Sequence, residues 1–159
     1  MKKEKVTYSF DDKTGVAYCS IFEYGLEFTG IAVCHPDDKD MLSERTGCEI
    51  ANRRAYLELL YHERDNIIAP QLKALKQLYY SINKSKNFNK KGYAEKALYR
   101  HVRMLEHDLT AIKAEIATEK QSLKDYINGK EKFYQRHRAY LNYEKTIKGV
   151  VAETEAKND

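Results

Sequence analysis

The amino-acid sequence predicts an α+β fold: an N-terminal three-stranded antiparallel sheet packed on a long helix, followed by an antiparallel coiled-coil-like helical hairpin with a possible third helix. Three observations support this prediction. β-branched and aromatic residues are concentrated between residues 5 and 34. Hydrophobic residues then recur in steps of three and four along most of the remaining chain. Only 7 glycines and 2 prolines occur in 159 residues, which argues against a many-stranded all-β architecture.

The first 34 residues contain the runs VTYSF, VAYCSIFEY and LEFTGIAVC, which predict three strands. Residues 11–15 (DDKTG) and Tyr24-Gly25 are expected to form the two turns. Alternation along the first two strands predicts one buried face, formed by Val6, Tyr8, Phe10, Ala17, Cys19 and Ile21. Because a three-stranded sheet alone is only marginally stable, we expect a helix to cover this face.

The first long helix is predicted to begin at about Ser43, after Pro36 has ended the third strand. Pro70 is expected to kink this helix or divide it near Ala69, because proline removes a backbone hydrogen bond and crowds the preceding turn. Steps of three and four predict a hydrophobic seam at Leu57, Tyr61, Arg64, Ile68, Gln71, Leu75, Leu78 and Ile82.

A polar, asparagine-rich segment at 83–92 predicts a loop, after which the chain turns back. A second seam follows, and it is the strongest pattern in the sequence: Leu98, Val102, Leu105, Leu109, Ile112, Ile116, Glu119, Leu123 and Tyr126. Two such seams joined by a short loop predict an antiparallel helical hairpin. The seven-residue spacing continues beyond Gly129, so a third helix is expected over about 130–151, either continuing the second helix or folding back.

The sequence divides into an acidic sheet region with the helix start (1–56), a helical hairpin or bundle (57–152) and a polar tail (153–159). Residues 1–43 contain five lysines and eight acidic residues, whereas residues 44–159 contain 23 basic and 16 acidic residues. No hydrophobic run approaches the roughly 20 residues that cross a bilayer. We therefore expect a cytoplasmic protein whose three cysteines are reduced.

The sequence contains only weak signals for a catalytic or metal-binding site. Cys34, His35, Cys48 and three nearby aspartates offer zinc-ligand side chains, but they lack the paired spacing of zinc-binding arms. Nucleophilic catalysis by Cys34 or Cys48 requires a distant histidine, and the scattered glycines form no phosphate-binding loop. We therefore expect no catalytic residue, no metal and no cofactor, and the protein is not expected to be an enzyme.

A basic stretch at the expected hairpin tip is the better candidate for a binding site. Its cations are interleaved with Phe88, Tyr93 and Tyr99, which suits nucleic acid or an acidic partner: Lys84, Lys86, Lys90, Lys91, Lys96, Arg100 and Arg103. Such a loop can equally serve to keep a long hairpin soluble. Several of the 13 tyrosines lie in the helical part, and each of these is either an exposed protein-binding ring or a ring that flanks a seam.

Residues 34–55, CHPDDKDMLSERTGCEIANRRA, resemble a short signature of small proteins from Gram-positive phages and prophages. With the length and the sheet-then-helix layout, the chain resembles a type II-A anti-CRISPR protein of staphylococcal mobile elements. The resemblance implies a non-enzymatic inhibitor that binds the Cas9 effector with its guide RNA, at the HNH nuclease domain, and prevents DNA cleavage. The resemblance does not assign a functional role to any particular residue of this chain.

Charge offers two contact surfaces for such an inhibitor. A nuclease domain that grips DNA is basic, so the acidic turn is one expected contact, formed by Asp37, Asp38, Asp40 and Glu44. The basic tip is the other, facing guide RNA or an acidic patch. The alternative functions are a nucleic-acid-binding phage accessory or regulatory protein that uses this tip, and a purely structural or self-associating coiled-coil protein.

Overall fold

The computed structural model describes residues 5–34, 43–84 and 91–155, with side chains described up to residue 143 except those of Lys91 and Leu141. A three-stranded antiparallel sheet is followed by helices, which confirms the predicted α+β class. The elements are β1 (Lys5–Asp11), β2 (Val16–Glu23), β3 (Leu26–Val33), α1 (Glu44–His62), a π-helical segment (Glu63–Ile68), α2 (Ala69–Lys84) and α3 (Lys91–Glu155).

The strands lie in the order β1-β2-β3, and both neighbouring pairs are antiparallel. Tyr24 and Gly25 form the two-residue loop between β2 and β3, with φ angles of 54° and 74°. Positive φ at both central residues is the requirement of a type I′ hairpin turn. The tyrosine is unusual there, and its hydroxyl donates a hydrogen bond of 2.6 Å to Glu63, tying the turn to the helical part.

The predicted turn between β1 and β2 is organised by one carboxylate. Asp11 accepts hydrogen bonds from the Lys13 amide (3.0 Å) and the Thr14 hydroxyl (2.6 Å). The Gly15 amide donates to the Asp11 carbonyl at 2.8 Å, and Gly15 adopts φ 70°. The hydrogen bonds from Thr14 and Lys13 lower the pKa of Asp11 below its ordinary value.

Small residues form the core between the sheet and α1. The buried set is Ala17, Cys19, Ile21, Phe28, Ala32, Ala51, Ala55 and Leu59. Gly30 of β3 faces the backbone of α1 at Ala51 and Ala55 so closely that a methyl group at residue 30 would overlap it. Ser43 caps the helix by accepting a hydrogen bond of 3.3 Å from the Thr46 amide. The backbone of α1 therefore packs directly against the backbone of β3, with no side chain between them at Gly30.

One expectation about the sheet is wrong in part. Val6 and Tyr8 of β1 were expected to be buried, but they are 37% and 54% exposed. They point to the same side as the buried Ile21 and Cys19, with which they pair. The cause is the position of α1, which packs mainly over β2 and β3 and leaves the edge strand β1 largely uncovered.

A second core lies between α1 and α3. Leu57 and Leu60 pack against residues of α3. These α3 residues are Ile112, Ile116 and Leu123. Arg53 of α1 contacts Glu119, whereas Lys76 of α2, which comes later in the chain, contacts the earlier α3 residue Glu106. The two helical segments therefore run in opposite directions.

The π-helical segment lies where Pro70 was expected to disturb the helix. The Ala69 amide donates to the Arg64 carbonyl, five residues earlier, and this wider turn accommodates a residue that has no amide hydrogen. The extra residue moves the seam of α2 by one position. Leu72 is buried in place of the predicted Gln71, and Leu78 is 50% exposed.

Helix α3 runs for 65 residues without a break, which corresponds to about 97 Å at about 1.5 Å per residue. It passes through Gly129, so the expected third helix continues the second one. None of the helices in the described part of the chain combines the length and the apolar character needed to cross a membrane.

Candidate functional site

The structure describes only part of the two predicted contact surfaces. Asp37, Asp38, Asp40, Lys86 and Lys90 lie outside the described residues. Glu44 is exposed in the first turn of α1, beside the Ser43 cap. The remaining basic residues frame the ends of two neighbouring helices, with Lys84 closing α2, Lys91 opening α3, and Lys96, Arg100 and Arg103 following on α3.

Three tyrosines at the contact between α2 and α3 form what we call the ring cluster: Tyr79 and its neighbour Tyr80 on α2, and Tyr99 on α3. The Tyr79 ring centroid lies 6.0 Å from that of Tyr80 and 6.2 Å from that of Tyr99. Arg103 holds the third ring, because its Nε donates to the Tyr99 hydroxyl at 3.0 Å and its guanidinium carbon lies 5.4 Å from the ring centroid. The sequence pattern pointed to Tyr99 but not to the two rings of α2, because their position depends on the register between helices.

Charge at this surface is almost entirely positive. Residues 69–84 and 91–103 contain seven basic residues and one acidic residue, Glu95. The next acid along α3, Glu106, forms ion pairs with Lys76 at 2.7 Å and Arg103 at 3.2 Å. The hydrogen bond from Lys76 lowers the pKa of Glu106, which therefore stays ionised and offsets part of the positive charge.

A second group of aromatic residues lies on the later part of α3, and we call it the C-terminal aromatic face: Phe133, Tyr140 and Tyr143. These side chains are 61%, 59% and 65% exposed. They are seven and three residues apart, so they share one side of the helix. The Phe133 ring is also stacked on His137, with centroids 6.2 Å apart.

Polar contacts fix α3 against α1. Arg53 donates to Glu119 (3.1 Å), Ser122 (2.8 Å) and Glu49 (2.8 Å), and the hydrogen bond to Glu49 contributes most to raising its pKa. The Tyr56 hydroxyl donates to Glu115 at 2.5 Å, and this hydrogen bond, with burial, raises the pKa of Tyr56 to about 12. These contacts set the position of α3 relative to the sheet.

A cleft of about 400 Å³ lies between the end of the sheet, the start of α1 and α3. Phe10, Ala32, Ile50 and Ile127 supply apolar walls, and Arg138 lies among the polar lining groups. Its size is within the range of small-molecule sites.

Two of the three cysteines, Cys19 and Cys48, are poorly suited to act as nucleophiles. Burial raises the pKa of the Cys19 and Cys48 thiols, which disfavours the reactive thiolate. Cys34 is half-buried, and none of the three cysteines, all of which the structure describes, forms a disulfide bond. Among the residues that the structure describes, no group of three or more histidine, cysteine or acidic side chains is placed to hold a metal ion. His35 and the three aspartates of the predicted cluster lie outside that part.

Comparison with known proteins adds no relative. No family model matches the chain, and neither a curated protein nor a solved structure matches it. Function is therefore inferred from the residues of this chain and from the resemblance of residues 34–55.

Proposed function

We propose that the protein is a non-enzymatic, phage-encoded anti-CRISPR inhibitor that binds the Cas9 effector in its guide RNA complex and prevents DNA cleavage. The HNH nuclease domain is the proposed contact. Two lines support this proposal: the resemblance of residues 34–55 to the phage signature, and exposed aromatic side chains on a long, continuous helix.

The C-terminal aromatic face is the observation that carries the proposal. Tyrosine and arginine are the side chains most enriched at the energetic centres of protein interfaces. Here Tyr140 and Tyr143 stand exposed on the same helix as the exposed Arg136. Large rings with few rotatable bonds lose little entropy on binding, so three of them on one helical side can anchor a partner.

Stiffness is the second requirement of an inhibitor that acts by contact. We propose that α2 and α3 pack in a coiled-coil-like manner, which keeps α3 straight and lets it act as a wedge. A ligand shifts a two-state equilibrium only when it binds one state better than the other. An inhibitor of this kind would bind Cas9 more tightly when the nuclease domain is in its inactive placement.

Glu44 and the neighbouring aspartates 37, 38 and 40 are proposed as a secondary contact with the basic nuclease domain. Opposite charge speeds association and sets orientation more than it increases affinity. Their substitution is therefore expected to slow binding at low salt and to matter little at high salt.

Size-exclusion chromatography with purified Cas9 and guide RNA tests the proposal, together with a DNA cleavage assay. We expect co-elution and slower cleavage. The double variant Phe133→Ala/Tyr140→Ala should lose both effects, whereas Met104→Ala, which removes an equally exposed side chain elsewhere on α3, should retain them. Separate elution together with unchanged cleavage would refute the proposal.

The alternative function is a nucleic-acid-binding accessory or regulatory protein that uses the basic hairpin tip. The ring cluster beside Lys84, Lys96 and Arg100 favours it, since it joins aromatic faces to cations. Binding to DNA or RNA alone, falling steeply with salt, would support this function, and absence of binding at low salt would dismiss it.

A further inference from the structure

We propose that the ring cluster and its surrounding cations bind single-stranded nucleic acid without sequence preference. The inference rests on the alternative function above, for which it names the strand class and the site. It makes no use of Cas9, so it is tested independently of the inhibitor proposal.

The rings are partly exposed to solvent, although the Arg103 guanidinium lies over one face of Tyr99. Tyr80 is 62% exposed and Tyr99 is 46% exposed, while the half-buried Tyr79 contacts both of them. Tyr93, six residues before Tyr99 on the same helix, is 85% exposed. Unpaired bases stack on aromatic side chains that have an accessible ring face. Because every base is itself flat, this stacking does not depend on sequence.

The cations are arranged in two stripes beside the rings. On α2, Lys73, Lys76, Tyr80 and Lys84 are three or four residues apart and so share one side over about 16 Å. On α3, the side chains of Lys96, Arg100 and Arg103 follow the same spacing and are all exposed. The contact between Tyr79 and Tyr99 joins the two helices at this point. A backbone of phosphates laid along either helix would meet several positive charges.

The combination favours a single strand over a duplex or an acidic protein. In a duplex the base faces are covered by stacking, so only the phosphates would be used and the exposed rings would contribute nothing. A polypeptide segment of aspartate and glutamate has no flat ring to stack on the tyrosines, so it would use the cations alone. The 3.0 Å hydrogen bond from Arg103 fixes the position of the Tyr99 ring. A base can therefore stack on this ring without a prior rearrangement of the side chain.

Fluorescence anisotropy tests the inference with the full-length protein at low salt. The probes are labelled oligothymidine and oligouridine of about 20 nucleotides, and a duplex of the same length. We expect the single strands to bind at least about tenfold more tightly than the duplex. The logarithm of affinity should fall linearly with the logarithm of salt concentration.

Two variants separate stacking from charge. Tyr80→Ala/Tyr99→Ala should weaken single-strand binding at least about tenfold and leave duplex binding unchanged, whereas Tyr8→Ala/Tyr18→Ala removes two exposed rings of the sheet and should bind normally. Lys84→Gln/Lys96→Gln/Arg100→Gln should lower the salt slope by about two to three, and the matched control Lys113→Gln/Lys124→Gln/Lys132→Gln should not. Circular dichroism checks that each variant keeps its helices.

Several results would overturn the inference. One is a lack of binding to any oligonucleotide at low salt, and another is equal binding to both strand classes with no loss in the tyrosine variant. Displacement of the oligonucleotide by polyglutamate at equal charge concentration would also overturn it, since the surface would then fit an acidic protein. These outcomes stand whether or not the same preparation inhibits Cas9.

Discussion

Two regions of the molecule are held together in different ways. In the first, the sheet packs against α1, and in the second, α3 packs against α1 and α2. The first is packed from small side chains, with Gly30 against the backbone of Ala51 and Ala55. The second is packed from larger aliphatic residues, such as Leu57, Ile112 and Ile116, and several aromatic side chains of α3 are exposed. The first region therefore requires small residues at particular positions, whereas the second requires only a regular spacing of hydrophobic residues along the helices.

The largest expected effect breaks the close approach of strand and helix. Gly30→Ala would place a methyl group on the backbone of α1 at Ala51 and Ala55, where no side-chain rotation can relieve the overlap. We expect the free energy of unfolding to fall by at least about 4 kcal/mol, measured by urea denaturation. Gly92→Ala, whose methyl group meets nothing within 4 Å, is the control and should change stability by less than about 1 kcal/mol. Equal stability of both variants would show that α1 does not approach β3 so closely.

The next effect tests the seam. Ile116→Ala removes a buried side chain that packs between α3 and α1, and we expect a loss of about 3 kcal/mol in the free energy of unfolding. Met104→Ala, on the exposed side of the same helix, should change it by no more than about 0.5 kcal/mol. If both substitutions lower the free energy of unfolding equally, the buried seam does not stabilise the packing of α3 against α1.

A smaller effect concerns the contact between α1 and α3. Tyr56→Phe removes the hydrogen bond to Glu115, and we expect a loss of about 1 kcal/mol at neutral pH. The hydrogen bond raises the pKa of Tyr56 from 10.0 to about 12 in the folded state. The stabilisation is therefore complete below the unfolded pKa and is lost as the pH rises through the folded one. Denaturation between these pH values should show a smaller decline for the variant than for wild type, and parallel declines would contradict the assignment.

The smallest effect has the opposite sign. Gly129 lies inside α3 and is exposed, and a methyl group added to it would meet no other side chain within 4 Å. Because glycine costs conformational entropy in a helix, Gly129→Ala should raise the free energy of unfolding by about 0.5 to 1 kcal/mol. A loss of stability in thermal or urea denaturation would mean that the helix bends or ends at this residue.

Local chemistry was enough to predict the strands, the Tyr24-Gly25 turn and the start of α1 at Ser43. It was also enough for the seam of α3, where Leu98, Val102 and Leu123 are buried as expected. Turns and helix caps depend on neighbouring residues, and a long seam repeats its signal many times. These features are therefore readable without knowledge of the fold.

Three features depended on tertiary structure and were not predicted. The π-helical turn before Pro70 shifted the seam of α2 by one residue, and nothing in the periodic pattern marks that insertion. The exposure of Tyr8 follows from the position of α1 over the other two strands. The ring cluster requires the register of α2 against α3, which brings Tyr79 to Tyr99. Spacing along one helix carries no information on such register.

We propose that the later part of α3, and not the sheet, binds Cas9. Titration of labelled protein with the Cas9–guide RNA complex tests it most directly, by comparing dissociation constants of wild type, Phe133→Ala/Tyr140→Ala and Tyr8→Ala/Tyr18→Ala. We expect the α3 variant to bind at least about tenfold more weakly than wild type, while the sheet variant stays within about twofold. Absence of binding by wild type, or a larger loss in the sheet variant than in the α3 variant, would contradict the claim.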